Sequence, residues 1–437
     1  MNHPSRLVVL LTLSITSLGF AQDTLRVSKQ ELGQKVLEQN LQIKIARQAY
    51  ESARADYRQS DAVFLPSISA SYTGISTTNP LMAFGSKLNQ EILTAADFNP
   101  ALLNDPKKTK NFATKFEVLQ PLMNADGWAA RKAAKTKMEA YQLQSDRTGE
   151  YQQLEVNKAY MQLQLAYKAV QVINKAKTTA LANLKLIQNY FKQGMVQKTD
   201  VLMVQVRVNE IENQAQYAQS NVQNASDYLH FLLGETDTQK VYAPAEALQY
   251  EPSVKTFENK LPENRKDLQA MTKSSEAYHK MSVSDQYSFL PRLNAFGSYE
   301  LYDTEFLGTA AKGYTVGAQL SWNIFDGYKT LGKAQKSKAE YKKAATELEQ
   351  YKAQSQLELS KTLRQLTDAQ NKRNLAQLAL EQSQEAYRIR QNRFAQGLEK
   401  TTDLLAAETQ QLQKELELDA AVFEFQFTQT YLEFLTQ

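Results

Sequence analysis

Two aspartates, Asp200 and Asp403, are the side chains whose type and spacing most suggest a chemical role. Each lies six residues after the glycine of a Phe-x-x-Gly sequence, at 191–194 and 394–397. A carboxylate that follows a glycine turn is first of all a helix-capping residue, because it accepts hydrogen bonds from free N–H groups and favours the helix dipole. Repeated around a symmetric pore, such carboxylates would also form a ring that attracts cations. The pattern therefore predicts that the two aspartates cap helices and attract cations rather than act in catalysis.

The sequence lacks the patterns that enzymes need. It has no cysteine, and its three histidines, His3, His230 and His279, are far apart. There is no glycine-rich phosphate loop, no Gly-x-Ser-x-Gly and no carboxylate pair at a loop tip. The isolated histidines are typical of packing or surface positions rather than of a metal site. We therefore predict a protein with no catalytic activity, no cofactor and no metal.

The composition favours long helices and argues against nucleic-acid binding. The chain has 437 residues with 51 basic and 47 acidic side chains, which gives a formal charge of +4. This near balance gives no support to a nucleic-acid partner. Glycine and proline are few, at 15 and 10 residues, while Gln, Ala, Leu, Lys and Glu are frequent. Such a composition is typical of long helices.

The first residues have the pattern of a secretory signal peptide. Arg6 precedes an uncharged apolar run over 7–20. The run ends in Gly-Phe-Ala, with small residues at the two positions that a signal peptidase reads. It is short for a membrane anchor. We therefore predict a signal peptide over residues 1–21 and an exported mature chain.

The mature chain consists of two similar halves. Each half has Phe-Leu-Pro before an alternating segment, a second alternating segment that ends near Asp-Gly, a long helical pattern and the Phe-x-x-Gly turn. This shared order predicts two structural repeats of helix, strand, strand, long helix and helix. The repeats would occupy 22–233 and 262–437, joined by a connector at 234–261 that contains prolines and lacks helical periodicity.

Four segments alternate between apolar and polar residues, as half-buried β-strands do. They lie at about 64–78, 112–123, 289–303 and 314–325. A half-buried sheet of a soluble protein would alternate in the same way. A length of about ten residues, however, suits a strand that crosses a membrane, and aromatic residues near the strand ends suit the membrane interface. The predicted aromatic girdle consists of Tyr72, Phe112, Tyr299, Tyr314 and Trp322.

Four strands cannot close a membrane barrel by themselves. The smallest such barrels have about eight strands, and every unpaired backbone group at an open edge costs several kcal/mol in hydrocarbon. If these strands span a membrane, the chain must therefore oligomerise. Two, three or four chains would each supply enough strands, and the alternation alone does not choose among them.

The loops between paired strands differ in length, with 79–111 long and 304–313 short. Long loops of outer-membrane barrels face outward, so we expect both loops outside the cell. The long loop is either an ordinary surface loop, which is the simpler interpretation, or a lid over the mouth of a pore.

Two stretches, 127–191 and 328–394, lack proline and carry apolar residues at helical spacing. Each covers about 65 residues, or roughly 100 Å of helix at ~1.5 Å per residue. A structural coiled-coil envelope protein without a pore would also have such helices, but it would not explain the strands set between them. A wall of packed helices with a wet inner face explains both.

The ordered set of motifs resembles the TolC family of outer-membrane efflux proteins. Arg265-Lys266-Asp267-Leu268 resembles the family's Arg-Pro-Asp-Leu motif, and Trp-Asn-Ile-Phe-Asp-Gly at 322–327 resembles its junction between strand and helix. The resemblance covers essentially the whole mature chain. It implies a mostly α-helical fold with a membrane β-barrel, in which a homotrimer builds a twelve-stranded barrel that continues into a twelve-helix α-barrel tunnel. It also implies a location in the bacterial outer membrane, extending into the periplasm.

The same resemblance implies a function and a set of partners. The chain would be the outer-membrane exit duct of a tripartite efflux or type I secretion system, passively conducting substrates. Its partners would be a periplasmic adaptor (membrane fusion) protein, an inner-membrane pump of the RND, ABC or MFS type, and outer-membrane lipid.

The resemblance further implies roles for residues at a periplasmic tip. This chain has Glu399 where some members carry an arginine that bridges to the first-turn aspartate, and Ala406 where a second aspartate can follow. The bridge would then fall to Lys400 or Lys198. The implied pore constriction consists of Asp200, Asp403, Glu399 and Lys400, and the implied adaptor-docking turns consist of Phe191, Gly194, Met195, Phe394, Gly397 and Leu398.

Overall fold

The computed structural model describes residues 24–236, 239–249 and 255–437, so the signal peptide predicted over residues 1–21 lies outside the described residues. The chain divides into two compact units, each built from segments of both repeats. The first, here called the helical unit, comprises Met1–Leu41, Gln152–Thr256 and Arg364–Tyr431. The second, here called the sheet unit, comprises Gln42–Tyr151, Phe257–Leu363 and Leu432–Gln437.

The predicted order of elements in each repeat is confirmed. In the first half the elements are β1 (Thr24–Val27), α1 (Lys29–Gln39), α2 (Leu41–Gln59), β2 (Ser67–Thr77), α3 (Pro80–Asn89), α4 (Pro100–Asn104), β3 (Thr109–Met123), α5 (Ala125–Lys192) and α6 (Lys198–Leu233). Then follow β4 (Val241–Pro244), α7 (Lys266–Tyr287), β5 (Arg292–Asp303), β6 (Ala311–Ser321), α8 (Lys329–Ala395) and α9 (Thr401–Leu435).

The two longest helices coincide with the two proline-free stretches of the sequence. Helix α5 has 68 residues and α8 has 67. Both end where a glycine takes a positive φ that residues with a Cβ rarely adopt, 72° at Gly194 and 73° at Gly397. None of the described helices combines the length and the apolar character needed to cross a membrane.

Strands β2, β3, β5 and β6 form one antiparallel sheet within the sheet unit, in the order β2-β3-β5-β6. Its register pairs Ile68 with Val118, Phe116 with Tyr299, and Tyr299 with Tyr314. Since directly opposed residues share a face, one face is mostly apolar, with polar members that include Thr114, Gln120 and Lys312. This apolar face carries Ile68, Ala70, Tyr72, Phe112, Phe116, Val118, Leu293, Ala295, Tyr299, Leu301, Tyr314, Val316, Ala318 and Leu320.

The opposite face of the sheet is polar. Nζ of Lys115 lies 3.4 Å from Glu117 on the same strand and 3.8 Å from Glu300 on the neighbouring strand β5. Ile75, Leu119 and Phe296 are large apolar exceptions on this face. Phe296 fills space left by a glycine, since a Cβ on Gly317 would come within 2.8 Å of its ring. The polar face carries Ser69, Ser71, Thr73, Lys115, Glu117, Ser298, Glu300, Thr315 and Gln319.

The strand ends differ slightly from the sequence pattern. Strand β6 covers Ala311–Ser321, so Trp322 follows it rather than ending it, and β3 begins at Thr109, ahead of its alternating part. Alternation reports only the residues that face two different environments, and it therefore locates a strand better than it locates the strand's ends.

A small parallel sheet in the helical unit was not predicted. Strand β1 pairs with β4, which lies in the connector, with Thr24 opposite Val241 and Val27 opposite Pro244. Tyr242 of β4 is buried in a core that includes Leu32 of α1 and Leu229 and Leu233 of α6. Strands of four residues are too short to show a period, and neither strand could therefore be predicted from alternation.

Asp419 on α9 leads to a prediction about pH and stability. Its Oδ2 is buried without a hydrogen-bond partner among the described residues. Burial raises the pKa of this carboxyl to about 6; Lys168 acts against the increase and Glu415 adds to it. The folded-state pKa of Asp419 therefore lies above its unfolded value. The contribution of the protonated carboxyl to stability is fully present below the unfolded pKa and is lost as the pH rises through about 6.

We therefore expect Asp419→Asn to raise the melting temperature at about pH 8 and to change it little at about pH 4. Circular dichroism melting of the detergent-solubilised protein at both pH values measures this. An equal shift at the two pH values would show that the effect is packing rather than ionisation.

Candidate pore tip and membrane sheet

The two Phe-x-x-Gly turns are built alike. The N–H of Gly194 donates to the carbonyl of Phe191 at 3.0 Å, and the N–H of Gly397 donates to that of Phe394 at 2.9 Å. The residue after each glycine also caps the end of the preceding helix. The N–H of Met195 donates to the carbonyl of Tyr190 at 2.9 Å, and the N–H of Leu398 donates to the carbonyl of Arg393 at 2.9 Å. These bonds satisfy carbonyls that a helix end leaves free.

The two turns lie side by side in the helical unit. The hydroxyl of Tyr190 donates to the carbonyl of Ala395 at 3.2 Å, and the Tyr190 ring lies 5.9 Å from that of Phe394. Phe394 is 4 % exposed and packs into a core that also contains Ile187, Val201, Val204, Tyr387, Leu404 and Ala407.

The predicted docking residues differ in exposure. Phe394 is buried, whereas Phe191 at the matching position of the first turn is 40 % exposed. Met195 and Leu398 are 62 % and 63 % exposed. The turns therefore present two apolar side chains and one aromatic ring to the outside of the helical unit, on a rigid base.

Glu399 is held by two arginines of α8. Its Oε1 accepts a hydrogen bond from Nη1 of Arg390 at 3.0 Å, and its Oε2 accepts one from Nε of Arg393 at 2.9 Å. Its side chain is only 12 % exposed, and Arg393 also donates to the carbonyl of Leu398. This carboxylate thus fixes the second turn to the end of its own helix.

The two aspartates lie in the first turns of α6 and α9. Asp200 accepts a hydrogen bond from the N–H of Gln197 at 2.9 Å, which is a capping contact. Asp403 lies 4.0 Å from Nη1 of Arg390, and its side chain is 47 % exposed. Each carboxylate therefore remains partly open to solvent.

The two lysines considered as bridging groups are placed differently. Nζ of Lys198 lies 5.8 Å from the centre of the Phe191 ring, a cation–π contact within the first turn. Lys400 is exposed at the start of α9. The sequence did not single out Arg390 and Arg393, although basic residues three apart in the last turn of a helix are a recognisable C-terminal signal.

A buried polar group underlies the turns. Glu408 accepts a hydrogen bond from Nδ2 of Asn183 at 2.7 Å, and Arg207 lies 3.9 Å from it. Burial raises the pKa of the Glu408 carboxyl, while Asn183 and Arg207 act in the opposite direction. These contacts join α5, α6 and α9, and they were not predicted from the sequence.

The five predicted girdle aromatics fall into three groups. Tyr72 and Phe112 stack at 6.2 Å, and Tyr299 faces Tyr314 across β5 and β6. Trp322 lies beyond the other end of β6 and donates from Nε1 to the carbonyl of Phe289 at 2.9 Å.

His230 has a packing role. Both of its ring nitrogens are engaged, with Glu235 at 2.6 Å and the carbonyl of Lys240 at 2.9 Å, and the ring stacks on Tyr242. Across the described ranges, no group of three or more His, Asp and Glu side chains could hold a metal ion.

The sequence matches the family model described as outer membrane efflux protein over residues 32–235 and 259–431. The chain belongs to the outer membrane efflux protein family. It is an outer-membrane channel of a tripartite efflux system, located in the outer membrane and extending into the periplasm. The family is one of channels rather than of enzymes.

Solved structures of outer-membrane channels share the fold of this efflux protein. CusC superposes with a TM-score of 0.80 at 15 % identity, covering 93 % of this chain and 92 % of CusC. VceC from Vibrio cholerae has a TM-score of 0.77 at 16 % identity and coverage of 93 % and 95 %. CmeC of Campylobacter jejuni has a TM-score of 0.79 at 14 % identity and coverage of 93 % and 85 %. A comparison with curated proteins finds no match to the sequence.

Proposed function

We propose that this efflux channel works as a homotrimer whose three sheets close into one twelve-stranded barrel. The observation that carries the proposal is a single four-stranded sheet with one apolar face and two outer strands, β2 and β6, that pair with no further strand of the described chain. In hydrocarbon these edges must be paired, and a second copy offers the complementary edge. Residues 22–233 and 262–437 act as the two repeats, joined by the connector 234–261.

In this assembly the long helices of three chains form a twelve-helix tunnel. The polar face of the sheet, with Lys115, Glu117 and Glu300, lines the wet interior, and the aromatic girdle faces the lipid interface. Asp200 and Asp403 narrow the pore near its periplasmic end, and Glu399 with its arginines stabilises the turn beside them. The channel passively conducts what an inner-membrane pump of the RND, ABC or MFS type delivers, in efflux or type I secretion.

Conductance in planar lipid bilayers tests the pore directly. The folded trimer, extracted in detergent and added to the bilayer, should give discrete channel openings. Unfolded protein should give none. A structural coiled-coil envelope protein without a pore would give none, and an absence of openings in correctly sized trimers would therefore overturn the proposal.

We also propose that the exposed turn residues dock the periplasmic adaptor. Met195 and Leu398 are the most exposed apolar side chains of the two turns, and an apolar anchor on a rigid base is typical of a binding hot spot. We expect Leu398→Asp combined with Met195→Asp to abolish co-purification of the native adaptor after cross-linking in cells.

The same double variant should keep the trimer mass and the bilayer conductance, since both side chains lie outside the core. The matched control is Leu375→Asp on α8, which is 67 % exposed but far from the turns in sequence. Normal adaptor recovery with the turn variant would refute the docking assignment.

A further inference from the structure

The long loop between β2 and β3 is folded rather than extended. Residues 79–108, here called the cap segment, contain α3, a 3₁₀ turn at Ala95–Phe98 and α4. The Phe84 and Phe98 rings pack edge to face at 5.6 Å, and Nζ of Lys87 donates to Oδ1 of Asp97 at 2.7 Å. These two contacts join the 3₁₀ turn to α3 and make the cap segment a compact body.

One side of α3 is fixed to the polar face of the sheet. Ala83, Ser86 and Gln90, spaced as one helical face, are 1 %, 6 % and 3 % exposed. Nε2 of Gln90 donates to the carbonyl of Lys110 at 2.9 Å and to Oδ1 of Asn111 at 2.7 Å. Asn111 belongs to the polar face, because its neighbour Phe112 belongs to the apolar one. Helix α3 also packs against β3 and β6.

The other loop at this end of the sheet folds to the opposite side. Phe306, in the turn between β5 and β6, packs edge to face on Tyr72 at 5.5 Å and on Phe112 at 5.9 Å. Both partners belong to the apolar face. The placement of the cap segment over the polar face is therefore a property of that loop and not of every loop at this end.

The cap segment leaves apolar side chains uncovered. Leu81 is 81 % exposed, Leu88 55 % and Phe98 60 %. In the trimer proposed above, on which this inference rests, the polar faces turn toward the lumen. Three copies of α3 then surround one axis at the outer mouth, away from lipid. An apolar surface there can be covered by the other two copies but not by the membrane.

We propose that three cap segments meet over the outer mouth of the channel and narrow it, each covering the exposed leucines of its neighbours. The occupant of this apolar surface is a second copy of the same segment, reached by continuation of the interface that closes the barrel. The outer mouth then has a constriction of its own, separate from the aspartates near the turns.

Cysteine cross-linking tests this arrangement, because the chain contains no native cysteine. Purified trimers of Leu81→Cys, treated with a short bismaleimide, should give covalent dimers on denaturing gels. The matched control is Phe306→Cys, which is 69 % exposed at the same end of the sheet but on the apolar side, and which should stay monomeric on the gel.

Replacing residues 80–104 with a short Gly-Ser linker should also raise bilayer conductance several-fold while leaving the trimer mass unchanged. Light scattering on the same samples separates the two proposals. A sample that is not trimeric overturns the assembly and the cap together. A trimer in which Leu81→Cys fails to cross-link, or in which loss of the cap segment leaves conductance unchanged, overturns the cap alone.

Discussion

Val316→Arg is expected to abolish assembly of the channel in the outer membrane. Val316 lies at the middle of β6, on the apolar face, opposite Gly297 and 72 % exposed. If that face meets lipid, an arginine near the bilayer midplane costs about 2–4 kcal/mol in each chain. Three such costs in one trimer would remove most of the folded product.

The matched control for this prediction is Thr315→Arg, one residue earlier in the same strand. Thr315 belongs to the polar face, opposite Ser298, whose hydroxyl donates to Glu300, so that water and a neighbouring carboxylate accommodate the charge. The measurement is the amount of trimer in purified outer membranes, detected as a band on denaturing gels that shifts when the sample is heated. Equal loss with both variants would mean that the two faces do not differ in environment, and a normal Val316→Arg trimer would contradict a lipid-facing apolar face.

Neutralising the two aspartates of the turns is expected to lower the preference of the pore for cations by several-fold. Asp200→Asn with Asp403→Asn removes two charges per chain, which in a trimer are repeated around one axis. Asparagine keeps an oxygen that can accept the N–H of Gln197, so the capping contact of Asp200 at 2.9 Å survives. The variant therefore separates the pore charge from the helix cap.

The two aspartates should not contribute equally to this effect. Asp403 lies 4.0 Å from the guanidinium of Arg390, which offsets part of its field, so Asp200→Asn should have the larger effect of the two single variants. Reversal potentials in a salt gradient measure the permeability ratio. Glu347→Gln on α8, an exposed carboxylate paired with Lys343, is the control. An unchanged ratio in the double variant would exclude the aspartates from the narrow part of the pore.

The sequence predicted the sheet and the long helices because both depend on local periodicity. Alternation placed Phe116, Tyr299 and Val316 on one face, and the register confirms that placement. The proline-free stretches predicted α5 and α8 to within a few residues. These features need only the contrast between apolar and polar surroundings, which a single strand or helix already records.

What the sequence missed depends on contacts between distant residues or on very short elements. Glu399 occupies the position where some family members carry a bridging arginine, and the sequence did not indicate that it pairs with Arg390 and Arg393 of the preceding helix. The anchoring of the cap segment rests on Gln90 and Asn111, two amides 21 residues apart. Neither an amide nor an ion pair carries a periodic signal, so only a folded chain reveals which side of the sheet the loop covers.

Whether three chains close one barrel is decided by the mass of the detergent-extracted protein, measured by light scattering with the detergent mass subtracted. The full sequence has a mass of 49.5 kDa, and we expect an outer-membrane particle of three times the mature mass, because only paired edges allow the four-stranded sheet to lie in lipid. A protein that is monomeric and stays in solution without detergent would contradict the barrel, the pore and the cap together.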